Sequence, residues 1–166
     1  EMMFDIDRAS RAVAAAVETG LPVWIGTSCS LLADGSVGAW NKHMEDPADR
    51  FAPGDVQQEA KSFAPVIAAM LYFEPQEKGI KHSPIDTMDP GLRAMFDHRK
   101  GPVMAYPETS SQVRKGVRAV EPAVFAAHCS DWVARGVQII GGCCGTNIEH
   151  IRAMVNELPD AIGPRR

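Results

Sequence analysis

Three features of the sequence predict a parallel α/β fold. Short apolar segments alternate with longer segments of helical periodicity along the 166-residue chain. The predicted strands are apolar enough to be buried on both faces, which is typical of strands in a parallel sheet. Glycines and prolines lie at the boundaries of these segments, where turns are expected. The pattern therefore favours a parallel sheet covered by helices.

The first half of the chain predicts two helices and one strand. Apolar residues recur at helical spacing over residues 6–19, and Gly20 follows as a typical residue after a helix C-terminus. Residues 21–26 form a short apolar run after a proline-containing turn, which predicts a buried strand. Residues 55–73 have helical character, although Pro65 is expected to kink or break that helix.

The second half continues the alternation of strands and helices. Pro122 fits the first turn of a helix, and Thr146 with Glu149 predicts a capping box that opens a last helix of about three turns. Two loops are predicted, at residues 31–54 and 107–120. The predicted strands are residues 78–82, 102–106 and 137–140, the last being the clearest buried strand, and the other predicted helices are 88–99 and 122–136.

The composition is that of a globular protein and argues against several kinds of partner. The net charge is -4 and the 17 basic residues are scattered, which argues against nucleic acid or an anionic membrane surface as a partner. No apolar run approaches the roughly 20 residues that span a bilayer. Four cysteines are too few for a disulfide scaffold, so we expect a reducing, cytoplasmic setting. The first residues resemble the end of a secondary-structure element that began earlier, and we expect that residues before Glu1 are missing.

A pair of adjacent cysteines, Cys143 and Cys144, lies among glycines at residues 141–145, directly after a predicted strand. The carboxyl end of a parallel strand is where catalytic groups of α/β proteins lie. We expect the dipole of the following helix to lower the thiol pKa values. Two neighbouring thiolates require a cation, and zinc is the usual one. The alternative is that both are small buried residues in a tight turn.

This motif resembles the C-terminal signature of the homocysteine S-methyltransferase family, GGCCGT followed by x-P-x-H-I. The sequence has GGCCGT and then NIEHI, so Asn147 and Ile148 stand where Thr-Pro or a similar pair is usual. Further similar segments are residues 1–7, 21–24, 79–84, 132–133 and 136–140. The resemblance implies the C-terminal half of a TIM-type (β/α)8 barrel whose N-terminal half is absent. The residues alone leave a small open α/β domain as an alternative.

The resemblance also implies a zinc site formed by Cys143, Cys144 and a third residue. That third position is His82, where the family has cysteine; imidazole is a competent zinc ligand. A neutral imidazole in place of a thiolate is expected to make the site one unit more positive and a stronger Lewis acid. Two alternatives remain: His82 lies off the metal, leaving a weakened or metal-free site, or Cys29 is recruited as a ligand.

The implied activity is methyl transfer from an onium or similar donor to a zinc-activated thiol such as homocysteine, which gives a thioether such as methionine. Glu1 is implied to contact the amino group of homocysteine, and Tyr106 and Cys29 are candidates for lining the substrate pocket. The sequence does not identify the methyl donor. The expected partners are thus the thiol, the donor and the missing half-barrel or a second chain. The alternative is a non-catalytic or metal-free half-barrel that serves assembly with another chain.

Overall fold

The computed structural model describes residues 6–32, 34–39, 62–98, 101–109 and 120–161. Its elements, in chain order, are α1 (Ile6–Glu18), β1 (Trp24–Thr27), β2 (Cys29–Leu31), β3 (Val37–Ala39), α2 (Phe63–Leu71), β4 (Glu77–Pro84), a 3-10 helix (Ile85–Thr87), α3 (Met88–His98), β5 (Val103–Glu108), α4 (Pro122–Ala134), β6 (Ile139–Ile140) and α5 (Ile148–Glu157). No helix in these ranges is both long and apolar enough to cross a bilayer.

Four of the strands form one parallel sheet, which confirms the predicted parallel α/β class. The spatial order is β1, β4, β5, β6, and every neighbouring pair is parallel. Because each crossover returns the chain in the same direction, the carboxyl ends of all four strands lie at one edge. A helix lies between each of these strands and the next along the chain, as predicted.

The structure differs from the prediction in the segment that follows β1. Part of the predicted loop at residues 31–54 belongs to a short antiparallel hairpin, in which Cys29 of β2 lies opposite Ala39 of β3. The helix predicted over residues 55–73 begins only at Phe63, because Ser62 lies in a β-bridge with Gly38, and Pro65 lies in its first turn without breaking it. Amide groups in a first turn have no partner within the helix, so a proline is tolerated there.

The prediction for the last strand was also too strong. β6 has only two residues, and both are half-buried at the end of the described sheet. Val137 was assigned to this strand, but its amide donates to the Trp132 carbonyl in the turn after α4, at 2.9 Å. Apolar character is shared by buried strands and buried turns, so the sequence pattern overestimated the length of the strand.

The start of α5 uses different residues from the predicted capping box. Asn147 is the N-cap, and its side-chain oxygen accepts from the amides of Glu149 and His150. His150 completes the box, since its Nδ1 lies 3.3 Å from the Asn147 amide. The His150 side chain is buried and its Nε2 lies 2.8 Å from the Val120 carbonyl. The turn that follows the cysteine pair is therefore fixed by Asn147 and His150.

The main core lies between the sheet and helices α2, α3 and α4. Trp132, Phe125 and Phe63 are its largest side chains and are no more than 1% exposed. The indole Nε1 of Trp132 donates to Asp89 on α3 at 2.7 Å, and Arg135 also contacts that carboxylate. These two contacts with Asp89 connect the C-terminal part of α4 to α3.

We predict that Asp89→Ala lowers the free energy of unfolding by about 1–3 kcal/mol, because the buried indole N–H loses its acceptor. Asp131→Ala is the matched control, since its bridge to Arg135 is largely exposed and contributes less than about 1 kcal/mol. Denaturant unfolding of both variants measures the difference. Equal losses of unfolding free energy in the two variants would show that the hydrogen bond from Trp132 to Asp89 contributes no more than the exposed ion pair.

Candidate metal centre

Three chain segments meet at the carboxyl edge of the sheet. β4 contributes His82, β5 ends in Glu108, and β6 leads into residues 141–145, called here the cysteine loop. Side chains at this edge converge because the three strands are adjacent and parallel. The same arrangement explains how residues about 60 positions apart in sequence, such as His82 and Cys143, become neighbours.

His82 lies at an irregularity in β4. The pairing of β4 with β5 shifts between Lys81 and Ser83, so His82 is an extra residue on its strand. Its φ is 53°, in the left-handed region that non-glycine residues rarely adopt. Bulges of this kind change the direction of a side chain, and strained backbone is concentrated at functional sites. The bulge places the imidazole beside the cysteine loop.

The cysteine loop is held against the end of β5 by backbone hydrogen bonds. The Cys143 amide donates to the Pro107 carbonyl at 2.9 Å, and the Thr109 amide donates to the Cys144 carbonyl at 2.9 Å. Both cysteines are therefore fixed by the neighbouring strand, although β6 itself is short. A loop positioned by backbone contacts holds its side chains in a defined geometry before any ligand binds.

Neighbouring side chains leave no room for a Cβ atom at two glycines of this loop. A Cβ at Gly141 would lie 2.6 Å from the Tyr106 ring, and one at Gly142 would lie 2.3 Å from the Thr146 side chain. Real Cβ atoms do not approach other atoms so closely, so a side chain at either position would displace the loop.

The three predicted ligand atoms lie close together. Sγ of Cys143 and Sγ of Cys144 are 3.8 Å apart, and they lie 3.5 and 3.3 Å from Nδ1 of His82. A tetrahedral zinc ion, with Zn–S of about 2.3 Å and Zn–N of about 2.05 Å, would separate two sulfurs by about 3.8 Å and a sulfur from a nitrogen by about 3.5 Å. The arrangement therefore fits a zinc ion bound by all three side chains.

The two thiols differ in their ionisation. Burial would raise the pKa of Cys143, but the hydrogen bond to His82 and contacts with Cys144 lower it from the usual 9.0. Burial, the charge of Cys143 and the carboxylate of Glu108 raise the pKa of Cys144 to about 11. The prediction that the helix dipole lowers both values is wrong for Cys144, and α5 begins only at Ile148. Without a cation, the pair holds one thiolate far more readily than two.

Glu108 is a site residue that the sequence reasoning missed. Its Oε1 lies 2.6 Å from Nδ1 of His82, and its side chain is only 4% exposed. Hydrogen bonds with Cys143 and with Glu108 raise the pKa of His82 to about 9. The available signal was its place two residues after a predicted strand, at the carboxyl edge where site residues collect. The predicted loop at 107–120 hid it, because β5 extends to Glu108.

The carboxylate of Glu108 also affects the net charge of the site. An imidazole in place of a thiolate was expected to make the site one unit more positive. Glu108 supplies a buried negative charge beside that imidazole, so the gain is compensated. The expected gain in positive charge counted only the three ligands, and the contact with Glu108 opposes it.

The other predicted site residues have different positions. Glu1 lies outside the described residues. Tyr106 is half-buried on β5 and its ring packs on Gly141, next to the cysteine loop. Cys29 is fully buried in the core, and its thiol lies 3.8 Å from the Thr87 carbonyl. Cys29 is not among the three clustered ligand atoms, and this position gives no support to a role in substrate or metal binding.

Fold and site together define a parallel α/β protein with two thiols and an imidazole clustered at the carboxyl edge of its sheet. Such a set of side chains is typical of a metal centre with room for a further ligand. A family model described as homocysteine S-methyltransferase matches residues 1–158, and the chain belongs to this family. The family is one of methyltransferases that act on thiols.

Proposed function

We propose that this protein carries out zinc-dependent methyl transfer to a thiol such as homocysteine, from an onium or similar donor. The observation that carries the proposal is the spacing of Cys143, Cys144 and His82, which fits three corners of a tetrahedral zinc site. The family match supports the reaction class. The fourth corner is left for the acceptor thiol.

The chain's own residues would bind and orient the acceptor. When bound, zinc lowers the pKa of a coordinated thiol, so that its thiolate is present near neutral pH. The ion would be held by Cys143 and Cys144 of the cysteine loop and by His82 of β4. The carboxylate of Glu108 would add a negative charge beside His82. We propose a substrate contact for Tyr106, which is supported by the packing of its ring against Gly141 of the cysteine loop. Positioning two substrates supplies most of the remaining rate enhancement.

We also propose that the chain is the C-terminal half of a (β/α)8 barrel. β1 and β6 are the outer strands of the described sheet, and Trp24 on β1 is 58% exposed. Four parallel strands are half the number in such a barrel. A preceding half or a second chain would pair with these strands and supply much of the donor site. The implied role of Glu1 and a cytoplasmic location remain predictions.

The direct test is a methyl-transfer assay on the zinc-loaded full-length protein. Homocysteine is offered with S-methylmethionine, S-adenosylmethionine or betaine in turn, and the methyl thioether is measured by mass spectrometry. The same protein treated with a chelator is the control. We expect product with one donor class and its loss on chelation. Absence of product with all donors would exclude the enzyme proposal, while metal analysis tests the zinc site separately.

We predict that His82→Ala reduces zinc affinity more than about 100-fold, because the ion loses one of its three proposed protein ligands. His98→Ala is the matched control: this exposed residue of α3 lies away from the cysteine loop, with Nδ1 on the Ala94 carbonyl. Competition with a chromophoric chelator measures both affinities. Unchanged zinc binding in His82→Ala would remove the imidazole from the proposed site.

A further inference from the structure

The carboxylate of Glu108 has unusual surroundings. Its Oε1 lies 2.6 Å from Nδ1 of His82, the nitrogen that also faces the two sulfurs, whereas its Oε2 is buried and has no hydrogen-bond partner among the described residues. An unpaired buried carboxylate oxygen is costly unless a positive charge lies near it. The described ion pair of Glu108 is with His82, and His82 must be neutral to bind a metal. A metal ion held by His82 and the two cysteines would then place a positive charge beside Glu108.

The net charge of the site gives Glu108 a specific role. Zinc with three thiolates carries one net negative charge. Zinc with Cys143, Cys144 and a neutral His82 carries none, and the buried carboxylate of Glu108 restores one. Glu108 is outside the set of three mutually close ligand atoms, so its contribution is electrostatic, from beside His82. The pair His82 and Glu108 thus has the charge of one thiolate.

We infer that Glu108 is a charge-compensating residue of the metal centre, and that His82 and Glu108 together replace a third thiolate. This inference rests on the proposed zinc site. If Glu108 compensates charge, the effect of its carboxylate on zinc affinity depends on the residue at position 82. A purely structural role would not produce this dependence. With imidazole there, the carboxylate strengthens zinc binding. With a thiolate there, it adds a surplus negative charge to a buried site and weakens binding.

The test is a cycle of four proteins: the unmodified chain, Glu108→Gln, His82→Cys, and the double variant. Zinc affinity is measured by chelator competition at several pH values up to about 9, and the four proteins are compared at the highest, where the proton on His82 competes least with the ion. We expect Glu108→Gln to lower zinc affinity about 10- to 100-fold in the unmodified chain, and to leave it unchanged or raise it in the His82→Cys background. Glu157→Gln, at the exposed end of α5, is the control for loss of a distant charge.

Folding of each variant is followed by circular dichroism, and Glu108→Asp keeps the charge on a shorter side chain. Glu108→Asp retaining most of the zinc affinity supports the charge role even if Glu108→Gln is poorly folded. Equal losses from Glu108→Gln in both backgrounds would overturn the inference and leave the zinc site intact. Failure of the unmodified chain to bind zinc would instead overturn the proposed metal centre, and this inference with it.

Discussion

Cys143→Ala is expected to lower zinc affinity more than about 100-fold and to abolish methyl transfer. Losing a residue beside a metal ligand costs about 10- to 100-fold in affinity, and losing a ligand itself costs more. Cys143 is the thiol whose pKa is lowered, and it lies within 3.8 Å of both other ligand atoms. Its thiolate is the group most readily available to the ion. Zinc content after gel filtration and chelator competition provide the measurement.

Two buried cysteines provide matched controls for this prediction. Cys129 lies on α4, and burial raises its pKa to about 12. Cys29 lies on β2 in the same core, and burial raises its pKa to about 11. Alanine at either position is expected to reduce stability through a small cavity and to leave zinc affinity unchanged. A loss of zinc in Cys29→Ala would restore the alternative in which Cys29 is a ligand, and undiminished zinc in Cys143→Ala would refute the proposed centre.

The sequence predicted the parts of the fold that local periodicity determines. The parallel α/β class, the four strands of the sheet and the helices at α1, α3, α4 and α5 follow from apolar spacing and from glycine and proline positions. Gly20 has a φ of 71°, as a residue after a helix C-terminus requires. These features depend on neighbours within a few residues, which a sequence pattern records.

The errors lie at the boundaries of elements, where pairing with a neighbouring strand or a choice between adjacent capping residues decides the structure. β6 is short because only Ile139 and Ile140 align with β5. Asn147 replaces Thr146 as the N-cap because its side chain reaches the amides of the first turn of α5. An apolar run does not show where strand pairing ends, and Thr146 and Asn147 are both residue types that cap helices. Boundaries are therefore predicted less well than the elements themselves.

The same division applies to the metal centre. The cysteine pair and His82 were predicted from motif and resemblance, and the structure brings them together. Glu108 was missed because a single glutamate after a strand carries no motif, and its role appears only through its contact with His82. The bulge that directs His82 toward the loop was equally invisible, because it is a mismatch in pairing between two strands.

Zinc affinity is expected to fall steeply as the pH decreases below about 9. Each ligand must be unprotonated to bind the ion. In the metal-free protein, hydrogen bonds with Cys143 and Glu108 raise the pKa of His82 to about 9, and burial with nearby negative charge raises that of Cys144 to about 11. At neutral pH both groups hold a proton that zinc must displace. Cys143, with its lowered pKa, contributes least to this release.

Zinc binding at pH 7 should therefore release at least about two protons, which corresponds to a fall of roughly 100-fold in apparent affinity for each pH unit lost. Calorimetry in buffers of different ionisation enthalpy counts the protons, and chelator competition between pH 6 and 9 gives the slope. In Glu108→Gln the hydrogen bond that Nδ1 of His82 donates to the side chain at position 108 is weakened, so this imidazole loses its proton more easily and the slope near neutral pH becomes shallower. An affinity that does not change over this range would show that His82 and Cys144 do not give up protons to the metal, and hence that they are not its ligands.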